Sequence, residues 1–262
     1  LRGKRILEFW TDWPRGLKIS SRRDVSKDIR GRRILKLERR GKAILLRLWG
    51  GRILGFHQRM SGKLLLIPKE LRDKHIHYRF DISNRLSLVL HDIRKFGVVW
   101  YGRTEEVLRD KYLSGLGVDA LSVSFGEFKN LLKKKKGTIK PLLLRQNVFA
   151  GIGNIIADEV LWKAKIHPRR KIEQLRESEI KNLYVALKFI LKKSIRLGGT
   201  TMRDWLRPDR SEGRYYTKRL VYRRAGEKCR RCGGIIKRMK VGNFKRRKPN
   251  DHSHFDHDFT GG

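Results

Sequence analysis

Acidic residues are scarce in this 262-residue chain: 26 Asp and Glu stand against 65 Lys and Arg, a formal charge of 65 − 26 = +39. That shortage excludes an ordinary near-neutral enzyme, since a soluble domain needs a net charge of only about 2–8 in magnitude. Two cysteines cannot build a disulfide framework, and the spacing Cys229-Arg-Arg-Cys232 reads as metal or redox chemistry in a reducing compartment. No run of eighteen apolar residues occurs, which excludes a membrane-spanning helix. The start Leu1-Arg2-Gly3-Lys4-Arg5 has neither the apolar stretch nor the small-residue cleavage site of a secretory signal, so a cytoplasmic protein is expected. Methionine is missing from the first position, and the native start is expected to lie upstream of Leu1. Internal repeats, low-complexity blocks and an aromatic-rich RNA-recognition signature are also missing.

What is there is cationic charge from Arg2 to Lys248, and so much like charge calls for a polyanion. Nucleic acid is the partner this favours. A membrane surface fits less well, because no helix pattern shows a clean aromatic face opposite a basic one. The hydrophobic share, 39%, suffices for packed cores.

Patterning divides the chain in three. Residues 1–115 carry short alternating runs: Arg33-Ile-Leu-Lys-Leu-Glu-Arg39, Ala43-Ile-Leu-Leu-Arg-Leu-Trp49 and Arg52-Ile-Leu-Gly-Phe56, the last two joined by Gly50-Gly51. A second pair, His77 to Ile82 and Leu86 to Leu90, completes the pattern of an antiparallel β-sandwich or barrel. Residues 116–214 switch to helical spacing. A helix is expected from the N-cap Thr138, another after Gly151-Ile-Gly153-Asn154, and a long one from Ser178 to Leu197 with Ile180, Leu183, Leu187, Ile190, Leu191 and Ile195 in one row. Residues 215–262 are basic and poor in apolar side chains, so they need a staple such as a metal. The fold class expected is α+β.

Glycines at 151 and 153 let the chain turn tightly while the free N–H groups of the next helix face a phosphate, although the spacing alone equally describes an ordinary helix-helix turn. The wider sequence decides. Leu142-Leu-Leu-Arg-Gln-Asn-Val-Phe-Ala-Gly-Ile-Gly-Asn-Ile-Ile-Ala-Asp-Glu-Val-Leu-Trp-Lys-Ala-Lys-Ile-His-Pro168 resembles the helix-two-turn-helix segment of bacterial formamidopyrimidine-DNA glycosylases, and Arg40-Gly-Lys-Ala-Ile-Leu-Leu46 is similar to that family as well. So are Gln58-Arg-Met-Ser-Gly-Lys63, Lys74-His-Ile-His77, His91-Asp-Ile-Arg-Lys-Phe-Gly97, Gly198-Gly-Thr-Thr-Met-Arg-Asp204 and Val221 to Gly233, so that nearly the whole chain is covered.

The resemblance implies an enzyme that everts and removes oxidised purines such as 8-oxoguanine and formamidopyrimidine, then nicks the abasic strand by β,δ-elimination. It implies Met60, Arg94 and Phe96 as the side chains filling the gap left by the everted base. Read without it, Met60 and Phe96 would be core residues. It implies Lys42 as the lysine that helps open the deoxyribose and donates a proton for elimination. It further implies His75, Arg94, Lys135, Lys140 and Asn154 as contacts to the DNA backbone, and Gly213 and Tyr215 as part of a loop closing over the base.

Two departures stand out. The family's nucleophile is an N-terminal proline followed by a glutamate, and Leu1-Arg2-Gly3 aligns with the end of the helix those residues head. The family's zinc finger uses four cysteines, whereas here Cys229 and Cys232 are followed by His254 and His257, a set able to hold one structural zinc tetrahedrally. A metal-free, frayed tail is the alternative. The resemblance implies a DNA-inserting arginine in the finger, with Arg246 and Arg247 as its candidates. The expected partner is double-stranded DNA with oxidised or abasic sites, bound by a nucleoid-associated monomer. The competing readings are a non-catalytic damaged-DNA-binding protein of the same fold and an RNA-binding accessory protein.

Overall fold

The computed structural model describes residues 1–19, 24–200 and 207–241. Short alternating runs become strands because one face of each finds a partner sheet. In chain order they are β1 (Ile6–Thr11), β2 (Leu17–Ile19), helix α1 (Val25–Ile29), β3 (Ile34–Arg40), β4 (Ala43–Leu48), β5 (Arg52–His57), β6 (Lys63–Pro68), β7 (Ile76–Ile82), β8 (Leu86–His91) and β9 (Val98–Arg103). They form one sheet ordered β1-β7-β8-β6 and another ordered β2-β9-β5-β4-β3. The expected hairpins are present, with Leu45 opposite Glu38 on one side and Gly55 on the other. Gly50 and Gly51 turn the chain between β4 and β5 at φ of 80° and 66°, where a side chain would be strained. One pairing departs from the antiparallel expectation: β2 lies parallel to β9, Leu17 opposite Val99. Three residues are too few to show alternation.

The inner faces of the two sheets meet over Ile34, Leu46, Leu54, Phe56, Phe80, Leu88 and Leu90. The outer face of the five-stranded sheet is covered as well. There Leu45, Ile53 and Trp100 pack beneath α2 (Thr104–Leu108) and α3 (Lys111–Ser114) through Val107, Tyr112 and Leu113. Burial on both faces explains why β4 reads Ala-Ile-Leu-Leu-Arg-Leu instead of alternating strictly. Helix α1 is pinned to the same sheet by Asp28, whose carboxylate accepts from Arg52 Nε at 2.9 Å, the Tyr101 hydroxyl at 2.7 Å and Arg32 Nη2 at 2.7 Å.

The helical lobe contains α4 (Phe125–Lys133), α5 (Ile139–Leu144), α6 (Asn154–Lys163) and α7 (Glu177–Arg196), with a two-residue parallel bridge between β10 (Val118–Asp119) and β11 (Phe149–Ala150). Helix α5 follows Thr138 as expected, although the Thr138 side chain makes no capping bond. Helix α7 buries Ile180, Leu183, Leu187 and Ile190, while Ile195 of the same expected row is exposed. Tyr215 joins this core. The following segment is fastened to α6 by Glu159. Its fully buried carboxylate accepts the backbone N–H groups of Leu220, Val221 and Tyr222 at 2.8, 2.9 and 3.0 Å. Among the described residues, no helix is long and apolar enough to cross a membrane.

Candidate nucleic-acid interface

The turn between β3 and β4 reaches into the helical lobe. Gly41, at φ of 58°, packs so closely that a Cβ there would lie 3.3 Å from the Ala150 and Leu116 side chains. Next to it, Lys42 runs half-buried toward the turn before α6, and a Cβ on Gly153 would stand 3.5 Å from Lys42 Nζ. Burial without a carboxylate partner disfavours the charged amine and pushes its pKa down to about 8. The lobes are clamped alongside, where the Arg39 guanidinium donates to the Gly41 carbonyl at 2.9 Å and meets both Asp119 oxygens at 2.7 and 2.8 Å.

The helix-two-turn-helix connection is shaped by Gln146. Its amide accepts from Gly151 N–H at 3.1 Å and donates to the Ile152 and Leu144 carbonyls, both at 2.8 Å. Gly151 takes a φ of 100°, open to glycine and strained for other residues. Helix α6 then begins at Asn154 behind Gly153, which has no side chain to cap the first-turn N–H groups. Sequence reasoning singled out the glycines and Asn154. It gave no role to Gln146, whose three bonds make the turn.

Met60 and Phe96, core candidates on composition, are 40% and 47% exposed. Met60 tops the turn between β5 and β6. Arg94 and Phe96 stand on the loop between β8 and β9, the guanidinium 4.5 Å from the centre of the phenyl ring. The two loops are joined: the Ser61 hydroxyl donates to Asp92 Oδ1 at 2.5 Å, and Asp92 also accepts from Arg94 N–H at 3.2 Å and Gly97 N–H at 2.6 Å.

Tyr112, missed in the sequence, connects this end to Lys42. Its ring stacks on Trp100 with centroids 5.8 Å apart and meets the edge of His57 at 5.0 Å. The Arg59 guanidinium lies 5.8 Å from the same ring, and the backbone N–H of Lys42 faces the Tyr112 hydroxyl. Burial raises that hydroxyl's pKa to about 12 and lowers that of Arg59. A continuous row therefore runs from Asn154 through Gly153, Lys42, Tyr112 and Arg59 to Met60. Only burial of Tyr112 beneath the sheet makes it visible, and the sequence carries no sign of that.

The remaining candidates lie on other elements. His75 sits before β7, its ring 5.6 Å from His91 and its carbonyl accepting from Asp92 N–H at 2.8 Å. Lys135 lies between α4 and α5. Lys140 is committed to Asp158 at 2.7 Å, and burial raises the Asp158 pKa against the pull of that lysine. Gly213 ends an irregular stretch, residues 207–213, and Tyr215 follows it. A Cβ on Gly213 would collide with the Gly199 carbonyl at 2.3 Å, and Tyr215 is 1% exposed within the helical core.

Cys229 and Cys232 lie on a tight hairpin whose ends pair through Lys228 and Ile235, with Gly233 at φ of 74° and its N–H donating to the Cys229 carbonyl. The Arg231 backbone N–H and the Trp162 indole N–H each donate to Cys229 Sγ at 3.4 Å. These bonds bring the thiol pKa down to about 6, so the thiolate form that ligates metal dominates at neutral pH. His254, His257, Arg246 and Arg247 lie outside the described residues. Among the described residues, no cluster of three or more metal-binding side chains occurs.

Two family profiles match this architecture. The formamidopyrimidine-DNA glycosylase N-terminal domain covers residues 1–99 and the formamidopyrimidine-DNA glycosylase H2TH domain covers 116–205. The formamidopyrimidine-DNA glycosylase of Heliobacterium modesticaldum is 40% identical over 218 residues, 81% of this chain and 79% of the relative. That of Protochlamydia amoebophila is 33% identical over 92% of this chain and 88% of its own length. Among solved structures, the MutM protein of Thermus thermophilus superposes with a TM-score of 0.82 at 33% identity, covering 92% of this chain and 88% of that one. A Lactococcus lactis Fpg in complex with abasic-site DNA gives 0.84 at 34% identity, with 92% and 89% covered. A two-lobed, strongly basic protein with these matches belongs to the formamidopyrimidine-DNA glycosylase family.

Proposed function

We propose that this protein is a DNA-repair glycosylase that grips duplex DNA between its lobes, everts an oxidised purine or formamidopyrimidine nucleotide, releases the base and nicks the abasic strand by β,δ-elimination. The observation that carries this reading is the row of contacts from the uncapped start of α6 through Lys42 to the Met60 turn. It brings an uncapped helix start, a buried amine and, through Tyr112 and Arg59, an exposed apolar side chain into one succession of neighbouring residues.

Each part has a physical task. Asn154, the first-turn N–H groups of α6, Lys135 and His75 hold phosphates and position the duplex without reading its sequence. Lys140 takes part only by sharing its ammonium with Asp158. Met60, Arg94 and Phe96 enter the stack and fill the space the nucleotide leaves, which offsets an unstacking cost of a few kcal/mol. At a pKa of about 8, Lys42 Nζ is protonated at neutral pH yet gives up its proton readily, as suits an acid acting on the deoxyribose ring oxygen during opening and elimination. The attack on the deoxyribose carbon that displaces the base belongs, in the family, to the amine of an N-terminal proline, and Lys42 acts beside that step as the proton donor.

The Cys229 hairpin is the place for one structural zinc, with His254 and His257 as the remaining ligands. The metal would supply the cross-link that a segment so poor in apolar side chains lacks. A chelator is expected to release one zinc per chain, and metal analysis finding none would remove this assignment.

The test of function is binding to three probes of about 25 nucleotides at fixed salt: duplex with an abasic-site analogue, undamaged duplex and single-stranded RNA. Preference for the abasic duplex is expected. Equal binding to both duplexes, or preference for RNA, would overturn the proposal.

A further inference from the structure

Met60 and Phe96 are exposed, so packing against a core does not hold them still. An exposed loop that must enter a base stack loses conformational freedom on entry unless something fixes it beforehand. The structure contains such a fixture directly beneath them.

We propose that Asp92, acting with Ser61, is a positioning residue that locks the Met60 turn and the Arg94–Phe96 loop into one preformed wedge. This rests on the reading of those three side chains as the group that fills the everted nucleotide's place. Asp92 is 2% exposed and Ser61 6%. The carboxylate gathers donors from both loops: the Ser61 hydroxyl, adjacent in sequence to Met60, at 2.5 Å on Oδ1, Arg94 N–H at 3.2 Å on the same oxygen, and Gly97 N–H at 2.6 Å on Oδ2. Its own N–H donates to the His75 carbonyl, so a candidate phosphate contact is tied to the same point.

The backbone shows how strongly the geometry is imposed. Arg59 in one loop and Lys95 in the other take φ of 53° and 55°, a left-handed region that non-glycine residues occupy only when their surroundings compel it. Gly97 is required for another reason: a Cβ there would sit 2.7 Å from Leu90 Cδ2 and 3.2 Å from Asp92 Oδ2, pushing the amide off the carboxylate. Neither Asp92 nor Ser61 faces solvent, so their place is beneath the wedge and away from the DNA.

The test uses the full chain with abasic-analogue duplex carrying 2-aminopurine beside the lesion, whose fluorescence reports unstacking, and undamaged duplex for phosphate binding alone. Asp92→Asn offers one acceptor oxygen where two are used and turns an amide donor toward another donor. It is expected to lower the preference for lesion over undamaged duplex about tenfold and reduce the fluorescence gain, with undamaged binding unchanged. Ser61→Ala removes a single hydroxyl and keeps the fold if Asp92→Asn does not; a loss of about threefold in the same preference is expected. Combined with Met60→Ala, the Asp92 change adds little, because both act through one wedge.

If Asp92→Asn and Ser61→Ala retain the wild-type preference and fluorescence while Met60→Ala loses them, the positioning role is overturned and the wedge stands. Full additivity with Met60→Ala overturns it as well. If Met60→Ala itself matches wild type, the wedge reading fails and takes this proposal with it.

Discussion

Two buried carboxylates, one in each lobe, do the same chemistry for different ends. Asp92 in the strand lobe collects donors from two loops of its own lobe, and those loops carry exposed side chains. Glu159 in the helical lobe collects three consecutive backbone N–H groups from the segment that follows the lobe, and so joins one part of the chain to another. The difference teaches where this protein keeps its order. In the strand lobe a buried carboxyl group fixes two loops that face solvent; in the helical lobe it fixes the connection to the cysteine hairpin. Asp28 is a third instance, tying α1 to the five-stranded sheet.

The comparison can be broken most decisively at Glu159. Glu159→Ala leaves three buried N–H groups without an acceptor and is expected to cost about 3–5 kcal/mol in urea unfolding. Glu159→Gln keeps one acceptor oxygen and should lose less. Wild-type stability in the alanine variant would show that the linker is held by packing alone.

Asp28→Asn comes next, at about 2–3 kcal/mol at neutral pH. Burial opposes ionisation of Asp28, but the Arg52, Tyr101 and Arg32 bonds outweigh it and hold the carboxyl below the usual carboxylate range. A depressed pKa contributes stability that is present above the unfolded value, about 4, and lost as pH falls below it. The gap between wild type and Asp28→Asn should therefore narrow from about pH 7 to about pH 3. A gap independent of pH would deny the ionised hub.

The smallest effects belong to the interface side chains and leave stability unchanged. Asn154→Ala should weaken binding to every duplex a few-fold, and unchanged affinity would remove it as a phosphate contact. The Lys42 charge is present below about pH 8 and lost above it. The proton that Lys42 supplies to the deoxyribose should therefore be lost as pH rises, so abasic-strand cleavage should decline from about pH 7 to about pH 9 in wild type and stay flat, at a lower level, in Lys42→Arg. Identical pH profiles for the arginine variant and wild type would sink the assignment.

The pairing of β4 with β5 and of β7 with β8 was readable because adjacent runs separated by short turns close on each other locally. Helix α7 was readable from its apolar row. The parallel β2–β9 contact was not, since Leu17 and Val99 meet across the length of the lobe. Nor was the interior position of Tyr215, whose motif suggested a loop while the helical core supplied a better place for its ring. Met60 and Phe96 showed the reverse: composition argued for burial, and only the motif argued for exposure.

By itself the amino-acid order determined the cationic character, the strand and helix runs and the glycine turn before Asn154, because charge, periodicity and glycine freedom are carried by neighbouring residues. Tertiary structure alone decided that Asp92, Tyr112 and Glu159 matter and that the Lys42 ammonium is weakened. Burial and hydrogen-bond partners depend on residues tens of positions apart, and no local pattern records which of many similar carboxylates, phenols or amines will be enclosed.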